Sequence, residues 1–416
     1  MVRIAILGTP ARAWRFGVYA ALCLPALSCG GGGGGASLAP SNPTPTGSNV
    51  VDVVVDAGPT GTSPDVNTLF TTVTVCVPGS TTSCQTIDHI QVDTASYGLR
   101  ILAPVLTLSL PIQTTASGAS LLECTRFVDG YSWGPVALAD VQISGESASS
   151  VPVQVIGDAN FSSVPSDCSS IGPAEDTVAA FGANGILGVG VFAQDCGAYC
   201  VSNVANGSYY ACTSTLCQAT TLPLASQVQN PVTFFAADNN GVVIQLPTVA
   251  AQGAATVAGS MIFGIDTQSN NKSGTQSVLT VNLTYGDFTT VFNGQPSLTQ
   301  SFLDTGSNGL YFNDTGLTKC TGANFVNFYC PASPQTLSAV LQGQNAVSAT
   351  VDFTVDNAET LGANDPSFVA FPTLAGTYPT TTPTFDWGLP FYYGRTVYTA
   401  IENTTTAVGT GPYVAF

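Results

Sequence analysis

The sequence predicts an all-β protein, and three observations carry that expectation. The 416 residues are rich in Thr, Val, Ser, Gly and Asn but only 8% charged, so the Lys and Glu that clothe helix surfaces are scarce. Short apolar segments alternate with polar residues at a period of two. Pro-Gly, Asp-Gly and Asn-Gly pairs punctuate them as hairpin turns do.

The elements follow in chain order. Residues 1–29 read as an export leader, in which Arg3, Arg12 and Arg15 precede an apolar core, Phe16 to Ser28, too short to span a bilayer. Ala26-Leu27-Ser28-Cys29 resembles a bacterial lipobox with Cys29 as the lipidated residue, although Leu sits one place later than usual. Residues 30–49, Gly30 to Gly35 and then a Pro/Ser/Thr-rich stretch, form a flexible tether. No Gly-Lys-Ser/Thr follows the glycines, so they do not form a phosphate loop. The expected location is the bacterial cell envelope, lipid-anchored to the membrane or secreted.

Thr68 to Cys76 alternates as a strand, turns at Pro78-Gly79 and returns through Gln85 to Val92 into Asp93-Thr94-Ala95-Ser96-Tyr97-Gly98-Leu99. Cys124 to Val128 and Tyr131 to Gly134 flank an Asp129-Gly130 hairpin turn. Beyond Gly185 to Gly190 and a strand at Gly259 to Asp266, an Asn293-Gly294 hairpin returns through Leu298 to Leu303 into Asp304-Thr305-Gly306-Ser307-Asn308-Gly309-Leu310. The two heptads share five of seven residues. In each copy the Asp ends an apolar strand, and an apolar run closing on Gly188 or Gly388 follows 95 or 84 residues later.

Charge narrows the chemistry. Eight Lys and Arg stand against 25 Asp and Glu, and three of the eight lie in the leader, so the remainder carries a net charge near −20. That excludes nucleic acid and anionic membrane surfaces as the main partner. With His89 as its one histidine, the chain has no His-rich metal site, and a Ser-His-Asp or Cys-His device would have to run through that residue. Protonating every carboxylate would leave few positive charges to repel one another, so acid tolerance is expected.

Apart from Cys23 and Cys29, ten cysteines remain, which reads as five disulfides in an oxidising compartment. Cys76 with Cys84 and Cys320 with Cys330 would close local loops. Cys196, Cys200, Cys212 and Cys217 would form nested pairs around Asn206-Gly207, leaving Cys124 with Cys168; a zinc site from those four is the alternative.

The paired heptads and the glycine-ended runs resemble pepsin-like aspartic peptidases over about residues 50–416. A bacterial lipoprotein family of unknown function with the same double motif is also similar, and implies a fold without an activity. The first resemblance implies a two-lobed, pepsin-like (acid protease) double β-barrel with a central inter-lobe sheet and few short helices. Its first lobe, 50–270, would carry Asp93 and its second, 271–416, Asp304. The implied activity is endopeptidase hydrolysis of peptide or unfolded protein at acidic pH, by a monomer without metal or organic cofactor. Two carboxylates held close together cannot both ionise, so one proton is shared and an intervening water can be activated.

By the same resemblance, Thr94 and Thr305 would lock the two loops together, and Ser96 and Ser307 would bond the outer carboxylate oxygens. Gly306 would let a substrate backbone approach, and Gly188 and Gly388 would permit the loop crossings. The Asp129-Gly130 hairpin would be the flap, with Tyr131 as covering residue and Phe127 and Trp133 as rivals. Three departures stand out. Ala95 replaces the family's Gly and narrows the cleft, and a positive φ there would cost ~1 kcal/mol. Arg100 replaces a flap-supporting Trp and would bring a cation toward the carboxylates. Residues 30–65 hold no Lys or Arg, so no basic pro-segment is expected. The alternatives are a non-catalytic lipoprotein binding peptide or glycan in the same cleft, and a disulfide-stapled β-sandwich whose aspartates merely cap turns.

Overall fold

The alternation of Thr68 to Cys76 produces a strand at Leu69–Cys76, with Val73 and Val75 turned inward and Thr72 outward. It turns through Gly79 in the left-handed region and pairs with Cys84–Asp93. These details come from a computed structural model describing residues 45–62, 65–214, 216–292 and 294–416. The leader, Cys29 and residues 30–44 of the tether lie outside the described residues, as does Asn293 of the expected turn.

The fold is all-β, with barrel-like sheets and few short helices. Among the described residues the longest helix, Ala358–Asn364, spans seven residues and is capped by the Asn357 side chain, which accepts from the Thr360 N–H. Among the described residues no helix is long and apolar enough to cross a membrane.

One topology occurs twice. Gly185–Val189 lies between Cys84–Asp93 and Tyr97–Leu102, parallel to the first and antiparallel to the second, and Tyr97–Leu102 then pairs in parallel with Glu146–Ile156. In the second half Phe385–Trp387 lies between Leu298–Leu303 and Leu310–Phe312 in the same senses, and Leu310–Phe312 pairs in parallel with Ala375–Gly376.

The halves meet in one sheet. Six consecutive strands of it are Val50–Val55, Val257–Phe263, Gly241–Gln245, Thr396–Ala400, Tyr413–Ala415 and Val278–Thr280, each antiparallel to the next. The order is palindromic: opening strand, closing strand and a preceding strand of the first half, then the same three reversed. A core of buried residues continues across this junction, from Val53 and Val92 to Phe385 and Val414.

Among the described residues there are five disulfides. Cys76–Cys84, Cys124–Cys168 and Cys320–Cys330 match the expected pairs. Cys196–Cys200 and Cys212–Cys217 are sequential instead of nested. Cys196 lies beside the helix Ala198–Ser202 that carries Cys200, and Cys212 sits opposite Cys217 in a local hairpin, so each pair joins neighbours on one side of the Asn206-Gly207 turn. All four sulfurs are thereby consumed, which removes the zinc alternative. Five disulfides belong to an oxidising, extracytoplasmic compartment.

Candidate active site

Each aspartate is delivered by the repeated strand crossing. Asp93 ends its strand opposite Gly188, and the chain turns through Thr94 to Ser96 before passing the other side of that glycine as Tyr97–Leu102. An added Cβ on Gly188 would lie 2.4 Å from the Tyr97 nitrogen, and one on Gly388 would lie 2.2 Å from the Gly309 carbonyl oxygen. Both crossings therefore require glycine.

The two loops are tied reciprocally. The Thr94 N–H donates to Thr305 Oγ1 at 3.2 Å, and the Thr305 N–H donates to Thr94 Oγ1 at 3.1 Å. Each hydroxyl then donates to the strand bearing the other aspartate, Thr94 to the Leu303 carbonyl at 3.2 Å and Thr305 to the Val92 carbonyl at 2.7 Å. Tyr392 adds a bond to Thr94 Oγ1 at 2.9 Å. Inside each loop the N–H two residues on, from Ala95 or Gly306, donates to its aspartate's Oδ1 at 2.7 Å. The carboxyls converge on Gly306, where an added Cβ would lie 2.9 Å from Asp93 Cγ and 3.0 Å from Asp304 Oδ1.

Burial holds Asp304 protonated well above the usual carboxylate range, reinforced by the charges of Asp93 and Asp386. Asp386 is a third carboxylate in this cluster. Burial pushes it up to about 8, against the lowering effect of a Ser307 hydrogen bond and with help from Asp93. Ser307 Oγ lies 2.9 Å from Asp304 Oδ2 and 2.6 Å from Asp386 Oδ2. A hydroxyl has one hydrogen to give, so both contacts are bonds only if one of the two carboxyls is itself protonated and donates to Ser307. The other oxygen of Asp386, Oδ1, is buried without a partner, and so is Ser96 Oγ. The two expected serines thus differ: Ser307 bonds its aspartate and Ser96 does not.

The sequence profile of a family described as protein of unknown function (DUF3443) matches residues 45–416. The chain belongs to the DUF3443 family. Comparison with curated proteins found no match.

Above the aspartates of this DUF3443 chain, a cleft is lined by Phe127, Val128 and Asp129 at the hairpin tip and by Ala95, Ile186 and Tyr378 among others. Tyr131 and Trp133 do not line it. Both project from the other side of the hairpin into a small core with Cys124 and Tyr210, where the Trp133 indole donates to the Phe161 carbonyl at 2.8 Å. Of the three aromatics Phe127 alone meets the cleft, packing edge-on against Phe181.

The sequence departures resolve differently from expectation. Ala95 does not adopt a positive φ, so it brings a methyl group to the cleft wall without backbone strain. Arg100 is fully buried and spends its charge locally. Its guanidinium donates to Glu123 at 2.7 Å, Asp195 at 3.2 Å, Thr125 at 2.9 Å and the Tyr97 carbonyl at 2.7 Å. Glu123 and Thr125 belong to the hairpin strand Ser120–Arg126, so Arg100 ties that hairpin to the strand following Asp93 instead of facing the carboxylates. His89 lies outside the cleft at a strand irregularity, with φ of 47° and contacts to Asp56 and Asp88.

Proposed function

We propose that this DUF3443 protein is an exported aspartic-type endopeptidase of two-lobed, pepsin-like architecture, with lobes at 50–270 and 271–416 and Asp93 and Asp304 as the catalytic pair. The observation that carries the reading is the reciprocal Thr94–Thr305 crossing, which holds two strand-end carboxyls against each other in a cleft. The twice-used strand crossing and the palindromic sheet support the lobe division.

In this mechanism one proton is shared between the two aspartates. The ionised carboxylate removes a proton from a water held between them as that water attacks the scissile carbonyl, and the protonated one gives its proton to the carbonyl oxygen. The resulting diol collapses when the first aspartate gives its proton to the leaving nitrogen and the second takes one back from a diol hydroxyl, which becomes the product carbonyl as the C–N bond breaks, so the pair again holds one proton. The raised Asp304 keeps an acid available from acidic toward neutral pH. The substrate is peptide or unfolded protein, handled by a monomer that Cys29 anchors to the membrane through lipid.

The test incubates the full chain with unfolded protein from about pH 3 to about pH 7, alongside Asp93→Asn and Asp304→Asn. Cleavage by the wild type that both variants lose, and that a statine-type inhibitor blocks, is expected. Equal cleavage by all three proteins refutes the reading; binding of peptide without any cleavage marks a scaffold that only holds its ligand.

A further inference from the structure

The two walls of the cleft differ in a way that the repeated topology makes measurable. Gly188 and Gly388 are equivalent, so Ile186 and Asp386, each two residues earlier on the inserted strand, occupy matching positions. Both line the cleft. The first half supplies Ile186, Phe127 and Phe181 as apolar groups of the lining, alongside Asp65, Asp129 and Glu175. The Asp386 side carries a carboxylate whose Oδ1 is buried and has no hydrogen-bond donor, in a residue only 5% exposed. The charged and titratable groups around Asp386 are Asp93, Asp304, Tyr311, Tyr378 and Tyr392, none of them basic. No Lys, Arg or His lines the cleft among the described residues.

We infer that the cleft selects peptides carrying an apolar side chain on one side of the scissile bond and a cationic side chain, lysine or arginine, on the other, the cation being received by Asp386. The inference rests on the peptidase reading and names its substrate class. A buried carboxylate beside two others must be neutralised, by a proton or by a counter-cation. In the free protein a proton serves, because burial pushes Asp386 up to about 8. An ammonium or guanidinium entering from the cleft releases that proton to solvent and supplies the N–H donor that Oδ1 lacks. No bond to carbon changes in this exchange. Apolar contacts with Phe127, Phe181 and Ile186 seat the other side chain and fix the register of the backbone over the aspartates.

The experiment maps cleavage sites in an unfolded protein by mass spectrometry, using the full chain and the isosteric Asp386→Asn variant. It then compares two synthetic peptides differing only in lysine or norleucine at the preferred cationic position. The wild type is expected to favour the lysine peptide about tenfold or more in kcat/KM, mostly through KM. Whatever its overall rate, the variant's ratio of kcat/KM for the two peptides should fall to about one. Lysine and arginine at background frequency around the wild-type cuts overturn the inference and leave the peptidase reading intact, whether or not the variant folds. A preference that persists undiminished in Asp386→Asn also overturns it. Absence of any cleavage by the wild type defeats the peptidase reading, and this inference with it.

Discussion

Replacing either crossing threonine by valine keeps shape and removes one hydroxyl, so its cost can be worked from the bonds that hydroxyl makes. Thr305 Oγ1 accepts from the Thr94 N–H and donates to the Val92 carbonyl. Both threonines are buried, at 0% and 5% exposure, so solvent cannot replace what is lost. Thr305→Val strands one N–H and deprives one carbonyl of a donor, for about 2–6 kcal/mol at roughly 1–3 kcal/mol per stranded group. Thr94→Val does the same to the Thr305 N–H and the Leu303 carbonyl and also strips the Tyr392 hydroxyl of a partner, adding about 1 kcal/mol. Denaturant unfolding under non-reducing conditions measures both, with fluorescence from Trp133 in the first half and Trp387 in the second. Serine at either position should recover most of the loss. A loss below about 0.5 kcal/mol in either valine variant, or a larger loss at Thr305 than at Thr94, would contradict the bonding scheme.

Asp386 gives a signed pH effect. Its folded value of about 8 lies above the ordinary 3.8, so the folded state holds an extra proton between them, and the stability present at acid pH is lost as pH rises through that window. Unfolding stability should fall less steeply in Asp386→Asn than in the wild type, by about 1.4 kcal/mol per pH unit, and parallel slopes would count against it. Arg100→Met leaves Glu123 and Asp195 buried together without their cation, and calorimetry should show a loss of about 3–5 kcal/mol. Gly388→Ala places a Cβ against the Gly309 carbonyl, and its expected outcome is failure to recover folded protein, read by circular dichroism. A non-reducing digest should yield Cys196–Cys200 and Cys212–Cys217 linked within their own peptides.

What could be read in advance was what local chemistry dictates. Alternation and turn residues sufficed for the strands that end on Asp93 and Asp304, and for the hairpin around Asp129-Gly130. Loop length sufficed for Cys76–Cys84 and Cys320–Cys330. The partners of Arg100 were not legible, because Glu123 and Asp195 lie 23 and 95 residues away and only the sheet brings them together. The choice among Phe127, Tyr131 and Trp133 depended on which face of the hairpin turns down, a tertiary property. Asp386 was in plain sight within Phe385-Asp386-Trp387-Gly388, but a pattern read for apolar residues and a terminal glycine ignores a charge inside it. Aligning the two halves on Gly188 and Gly388 would have set Asp386 opposite Ile186 and exposed the mismatch.

The palindromic sheet has a mechanical consequence. Antiparallel ladders join strand to strand across the midline, where Gly241–Gln245 meets Thr396–Ala400. Ladder register is discrete: neighbouring strands slide past each other only in steps of about 3.3 Å, and a single step turns every inward side chain outward. The offset between the two halves along these strands is therefore held at one detent, not adjusted along a continuum. The four-residue turn Phe127 to Gly130 at the cleft is held differently: one hydrogen bond closes it at 2.9 Å, and its Val128 stands exposed.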